Sequence, residues 1–421
     1  MSRRTIRVAL LALLLSALAP AAPSGQSAPS AHSGSSGPSG PSGSSGSSGP
    51  AGPQGPEDAT GQHTEPAVTA PIHPTPTERT TPVPTNDSLQ LAGRRVIYSY
   101  PGPTPPPELL ATIRAGRAAG VIFFKENVPS LPQLQAAVAQ LRQAAAESPT
   151  GAPLLLMTDQ EGGKVRRLPG APDLSAKQIG LAADPAGAAA EAGAGAARTL
   201  SGAGLNVNLA PVLDVFDTPD NFIDHFERSF SRNPDVVAEL GSAYLAAQQQ
   251  LGVAATAKHF PGLGAAAREE NTDASSVVLP VPLADLRARG EEPYRAAIAA
   301  GVRLVMASWA VYPALDAYRP AGLSRAVVHG ELRERLGFRG VTVTDALEAV
   351  ALAAFGDAGD RAVAAAEAGM DLVLCSGRDL QQGDTAVQAL ATALDSGRLD
   401  TAGFTEAVQR VDALRTSLPA S

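Results

Sequence analysis

The feature that most restricts how this chain can fold is a repeated alternation. From Leu89 onward, short apolar runs are separated by amphipathic stretches rich in Ala, Leu and Arg. Eight runs have the length and composition of strands: 95–100, 121–124, 154–157, 207–210, 254–257, 304–307, 341–344 and 372–374. Between them lie stretches with helical periodicity, among them 108–119, 131–147, 235–251, 285–300, 325–336 and 361–368. Strands buried on both faces read as continuous apolar runs, and parallel strands need a long crossover between them. The alternation therefore predicts a parallel α/β sheet. Eight units in about 330 residues suit a closed barrel better than an open doubly wound sheet, although periodicity alone allows both. Residues 380–418 read as further helix that closes the domain and leaves no room for a second one of useful size.

The chain before this domain has a different texture. Arg3, Arg4 and Arg7 precede an apolar run, Val8 to Leu15, and small residues follow it. That run is too short to span a membrane, so residues 1–23 are expected to be a signal peptide. No cysteine follows the run, which excludes lipid attachment by a lipoprotein signal. Residues 24–88 are dominated by Ser, Gly, Pro and Thr and cannot bury enough surface to offset their ordering entropy. They are expected to form a disordered linker, and residues 89–421 the folded domain. Secretion follows, with no integral membrane segment once the signal is removed. The net charge of −8 gives no footprint for nucleic acid or an anionic membrane. With Cys375 as the single cysteine, no intrachain disulfide can form.

In a barrel, chemistry sits just beyond the C-terminal ends of the strands. The third run is followed by Asp159-Gln160-Glu161-Gly162-Gly163, two carboxylates beside glycines that let backbone approach a ligand. The fourth leads to Asp214 and then to Glu227-Arg228, and a guanidinium offers a planar fork of donors. The fifth is followed by Lys258-His259-Phe260-Pro261-Gly262-Leu263-Gly264, in which a cation and an imidazole precede a turn. Trp309, after the sixth run, suits either stacking on a ligand or core packing. The seventh ends in Thr344-Asp345, with Glu348 three residues on as a capping or solvent group.

These segments carry a resemblance. TDQEGGKVRRLPG (158–170), NLAPVLDV (208–215), ERSFSRNP (227–234), KHFPGLG (258–264) and FRGVTVTDALEA (338–349) are similar to motifs of glycoside hydrolase family 3, in their order. The likeness is to its single-domain β-N-acetylhexosaminidase branch. It implies a single (β/α)8 TIM-type barrel that uses no metal and no cofactor. It also implies that Asp159, Arg228, Lys258 and His259 bind the sugar, with Arg167 and Glu161 beside them. Asp345 matches the family nucleophile, a carboxylate that forms a covalent glycosyl-enzyme and gives retention.

One departure stands out. In this branch a histidine, in a pattern close to Asp-x-His after the KHFPG motif, protonates the leaving oxygen. Here Asp273 matches the aspartate and Ser275 stands in place of the histidine. Asp273, Glu269 or Glu270 must then supply the proton, with Asp273 the first candidate, or the acid is a poor one. The expectation is a secreted, monomeric, retaining glycosidase acting on terminal β-N-acetylglucosaminides of cell-wall or chitin-derived fragments. The rivals are a β-glucosidase of the same family and a glycan-binding protein without turnover.

Overall fold

In the computed structural model, residues 84–419 are described; the expected signal peptide and nearly all of the expected linker lie outside them. The first described helix, Asn86–Gly93, is capped by Thr85 and so begins before the boundary expected at residue 89. Eight parallel strands follow: β1 (Val96–Tyr98), β2 (Gly120–Ile122), β3 (Leu155–Thr158), β4 (Val207–Asn208), β5 (Ala254–Phe260), β6 (Leu304–Ala307), β7 (Val341–Ala346) and β8 (Leu372–Leu374). Each pairs with its sequence neighbours, and β1 pairs with both β2 and β8, so the sheet closes on itself. The closed (β/α)8 barrel, rather than the open sheet, is what the chain adopts.

Alternation along each strand explains the closure. Ile97, Leu155, Met157, Leu304, Met306, Val341, Val343, Leu372 and Leu374 form one cluster that fills the barrel. Their neighbours Val96, Leu154, Leu156, Val305 and Val373 point outward and pack under the helices. Most of the surrounding helices start at a side-chain cap, among them Ser130, Asp184, Asn233, Asp357, Asp379 and Asp400. Helix Pro185–Gly202, rich in Ala and Gly, was not evident from apolar spacing. Its small side chains allow close packing: a Cβ on Gly193 would lie 2.1 Å from the Tyr244 carbonyl oxygen of the next helix.

The final helix, Thr401–Ser417, decides which end of the barrel is open. Val411 and Leu414 join the interior cluster. Arg415 donates to the carbonyls of Ala152 and Pro153, just before β3, and Arg410 binds Asp371, just before β8. The N-terminal end is therefore plugged, and the C-terminal end is the mouth. Among the described residues, no helix is long and apolar enough to cross a membrane.

Candidate active site

Two strands carry an extra residue where they reach the mouth. On β5, Ala257 pairs with Val305 but Phe260 with Ala307, so three steps on one strand match two on the other. On β7, Val343 pairs with Leu372 but Ala346 with Leu374. Such bulges break the alternation and re-aim side chains. The first bulge holds Lys258 and His259, and the second holds Thr344 and Asp345. Both strands thus run on through residues that were expected to follow their ends. Gly264 makes the turn after β5 possible, because a Cβ there would lie 1.9 Å from the Val215 carbonyl oxygen.

On the β3–β5 side of the mouth, every carboxylate has a partner. Lys258 Nζ lies 2.8 Å from Asp159 Oδ1 and 2.7 Å from Glu161 Oε1. Arg228 grips both oxygens of Glu161, at 2.9 and 2.8 Å, in the bidentate geometry that guanidinium favours. Arg167 is more peripheral, with Nη2 3.7 Å from Asp159 Oδ2. Fully buried Asp214 accepts from Leu263 N–H at 2.6 Å and faces His259 Nδ1 at 2.7 Å. That leaves His259 Nε2 3.5 Å from Arg228 Nη2. Burial works against ionisation of Asp159 and Glu161, but the cations outweigh it. Lys258 and Arg167 hold Asp159 below the usual carboxylate range, and Arg228 and Lys258 hold Glu161 there. The same pairs raise Lys258 and Arg228 against the effect of burial.

The β7 side differs. Asp345 is half-buried, and its Oδ1 accepts the Ala346 N–H at 2.8 Å. Among the described residues no cation forms a salt bridge with it. The loop after β5 reaches this side, because Thr272 and Asp273 carbonyls accept the N–H groups of Ala351 and Val350 at 3.0 and 3.3 Å. Asp273 opens to solvent at the rim, yet the walls around it make desolvation the largest influence on its ionisation. Asp345 and Glu348 add to that, and its pKa rises to about 6 although Arg228 and His259 pull the other way.

Glu348 is neither a cap nor a solvent group. It is half-buried, accepts from Ser376 Oγ at 2.8 Å and Gln382 Nε2 at 3.2 Å, and burial raises its pKa. Its place three residues after Asp345 was the available signal, but a Glu at the start of a helical stretch is ambiguous. Trp309 is buried, which settles it as a core residue. Ser275 is exposed, its hydroxyl 3.4 Å from the Asn271 carbonyl. Glu269 is exposed, and Glu270 caps its own turn at Ala267 N–H. Of the three acidic candidates, Asp273 is the one whose pKa the Asp345 carboxylate helps to raise.

Residues 100–414 match the glycosyl hydrolase family 3 N terminal domain. The chain belongs to glycosyl hydrolase family 3. This family 3 glycoside hydrolase is 48% identical over 330 residues to an uncharacterized secreted glycosyl hydrolase of Arthroderma benhamiae, covering 78% of this chain and 93% of that one. It is 31% identical to beta-hexosaminidase A of Pseudoalteromonas piscicida, covering 76% of this chain but only 56% of that larger one. Among solved structures, a beta-N-acetylglucosaminidase from Paenibacillus sp. str. FPU-7 superposes with a TM-score of 0.74 at 36% identity, covering 78% of this chain and 62% of that one. A beta-N-acetylhexosaminidase from Beutenbergia cavernae gives 0.72 at 34% identity, covering 78% and 98%.

Proposed function

We propose that this family 3 hydrolase cleaves terminal β-N-acetylglucosaminides with retention of configuration, Asp345 being the nucleophile and Asp273 the acid and base. The observation that carries the reading is the arrangement of these two carboxylates. Among the described residues, one forms no salt bridge and has an oxygen without a hydrogen bond; the other has its pKa raised to about 6. A retaining glycosidase needs that pair of states. The β-N-acetylglucosaminidase and β-hexosaminidase names of the relatives supply the sugar. The apolar N-terminal segment and the secreted relative support export, with residues 1–23 as the signal and the Ser/Gly/Pro-rich stretch as the linker.

In the first step Asp345 Oδ2 attacks the anomeric carbon as the bond to the aglycone oxygen breaks and Asp273 passes its proton to that oxygen. The product is a glycosyl ester of Asp345 and a free alcohol. In the second step ionised Asp273 takes a proton from water, whose oxygen attacks the same carbon. The ester breaks and the β-anomer leaves. Lys258 has three N–H donors and spends two on Asp159 and Glu161, leaving one for a sugar hydroxyl. Asp159 accepts from sugar hydroxyls, with Arg167 steadying it, while Arg228 and His259 Nε2 line the same wall.

The test is to follow hydrolysis of an aryl β-N-acetylglucosaminide by proton NMR. The β-anomer should appear first, and an intact-mass adduct should map to Asp345. The α-anomer first, or no turnover at all, would remove the reading, and binding without turnover would leave a glycan-binding protein.

A further inference from the structure

A bulge interrupts the ladder of hydrogen bonds between strands, so the peptides beside it need other partners. Beyond Asp345 the ladder resumes, with Leu347 N–H donating to the Leu374 carbonyl of β8 at 3.0 Å, but the carbonyls on this stretch are taken by side chains from elsewhere: Arg361 Nη1 donates to the Leu347 carbonyl at 2.9 Å. The Ala346 carbonyl is taken by Trp309, whose Nε1–H lies 2.8 Å away. The indole itself has little freedom. It is 1% exposed, and Gly322 lies against its far edge, where a Cβ would stand 2.5 Å from Cζ3. Gly322 is fixed in turn by its N–H to the Ser308 carbonyl at 3.1 Å. Burial explains why an aromatic stands at 309. It does not explain why the ring's single donor is aimed at the peptide that follows the nucleophile.

We propose that Trp309 is a positioning residue for the nucleophile: its indole N–H pins the Ala346 carbonyl so that the β7 bulge holds Asp345 Oδ2 in line with the anomeric carbon. The proposal rests on Asp345 being the nucleophile. Reaction rates fall steeply when reacting groups are misplaced, by up to about 100-fold per ångström. Trp309 touches no substrate, so loss of its N–H should slow attack without weakening sugar binding.

Trp309→Phe keeps a ring against Gly322 and removes the donor. The rate of trapping by a 5-fluoro N-acetylglucosaminyl fluoride, per active site counted by adduct stoichiometry, should fall about 10- to 100-fold. KM for an aryl substrate and Kd for N-acetylglucosamine should stay within about two-fold, because the paired side of the mouth is untouched. Gly322→Ala keeps the donor but pushes the ring from behind, and it should reproduce the same split. If Trp309→Phe does not fold, Gly322→Ala decides alone. Trapping at the wild-type rate per active site, in whichever variant folds, overturns the proposal and leaves Trp309 with packing only. An adduct on a residue other than Asp345 in the unaltered protein would instead defeat the underlying assignment, and that result is visible before any variant is made.

Discussion

The two sides of the barrel mouth both carry clustered carboxylates and reach opposite electrostatic states. On the β3–β5 side, Asp159 and Glu161 are met by Lys258, Arg228 and Arg167 at contact distance, and Asp214 is met by His259. On the β7 side, Asp345, Glu348 and Asp273 influence one another and none is ion-paired among the described residues. A paired cluster is fixed before the ligand arrives, and its spare donors and acceptors are already oriented. An unpaired cluster keeps its protons and lone pairs available for reaction. In the proposed mechanism the paired side binds the sugar and the unpaired side reacts with it, and the bulges of β5 and β7 mark the two.

The largest difference between the two sides is expected at Asp345. Asp345→Asn should lower kcat by at least about 1,000-fold, while N-acetylglucosamine binding, measured calorimetrically, stays close to that of the unaltered protein. Equal losses of binding and turnover would mean that the two sides are not separate. On the paired side, Lys258→Ala and Arg228→Ala should each weaken sugar binding by about 1.5–3 kcal/mol through the loss of a charge-assisted donor. Each also strips a cation from Glu161, so thermal stability should fall as well. Unchanged affinity in both variants would take them out of the binding wall.

A smaller effect tests the unpaired side through stability. The Asp273 carboxyl is held at about 6 in the folded protein, above its ordinary value of 3.8. A raised pKa means that the folded state disfavours the ionised form. Its contribution is therefore fully present below the unfolded pKa and is lost as pH rises from about 4 through about 6. Asp273→Asn should raise the melting temperature slightly at pH 7.5 and change it little at pH 4. A stabilisation that is the same at both pH values would show that charge is not its cause.

How much of this was legible in the sequence depends on the kind of signal. The eight strands were, because a strand buried on both faces has to be an apolar run, and β6 and β8 fall at their expected bounds. The ends of β5 and β7 were not, since a bulge lets polar residues such as Lys258 and Asp345 continue a strand without apolar alternation. Helix Pro185–Gly202 was hidden because close packing there selects small residues rather than an apolar stripe. The helical stretches after β5 and β6 contain wide π-helical turns at Leu286–Gly290 and Ala326–Arg335, which periodicity does not announce. Within the site, Asp159, Lys258, His259 and Asp345 stand out in the sequence as polar residues at the close of apolar runs, and Arg228 in the stretch that follows one, whereas the surroundings of Glu348 depend on Ser376 and Gln382, two residues of another strand exit and helix.

Asp273, a carboxyl whose pKa its surroundings raise, is proposed to take the place of an imidazole as proton donor. The most direct measurement is the dependence of log kcat/KM on the pKa of the leaving group across a series of aryl β-N-acetylglucosaminides, for the unaltered protein and for Asp273→Asn. A working acid makes the unaltered protein's plot nearly flat. Asp273→Asn should then steepen it, with losses of about 100- to 10,000-fold for the poorest leaving groups and little loss for the best. A steep plot for the unaltered protein, or a plot that Asp273→Asn leaves unchanged, would contradict the claim.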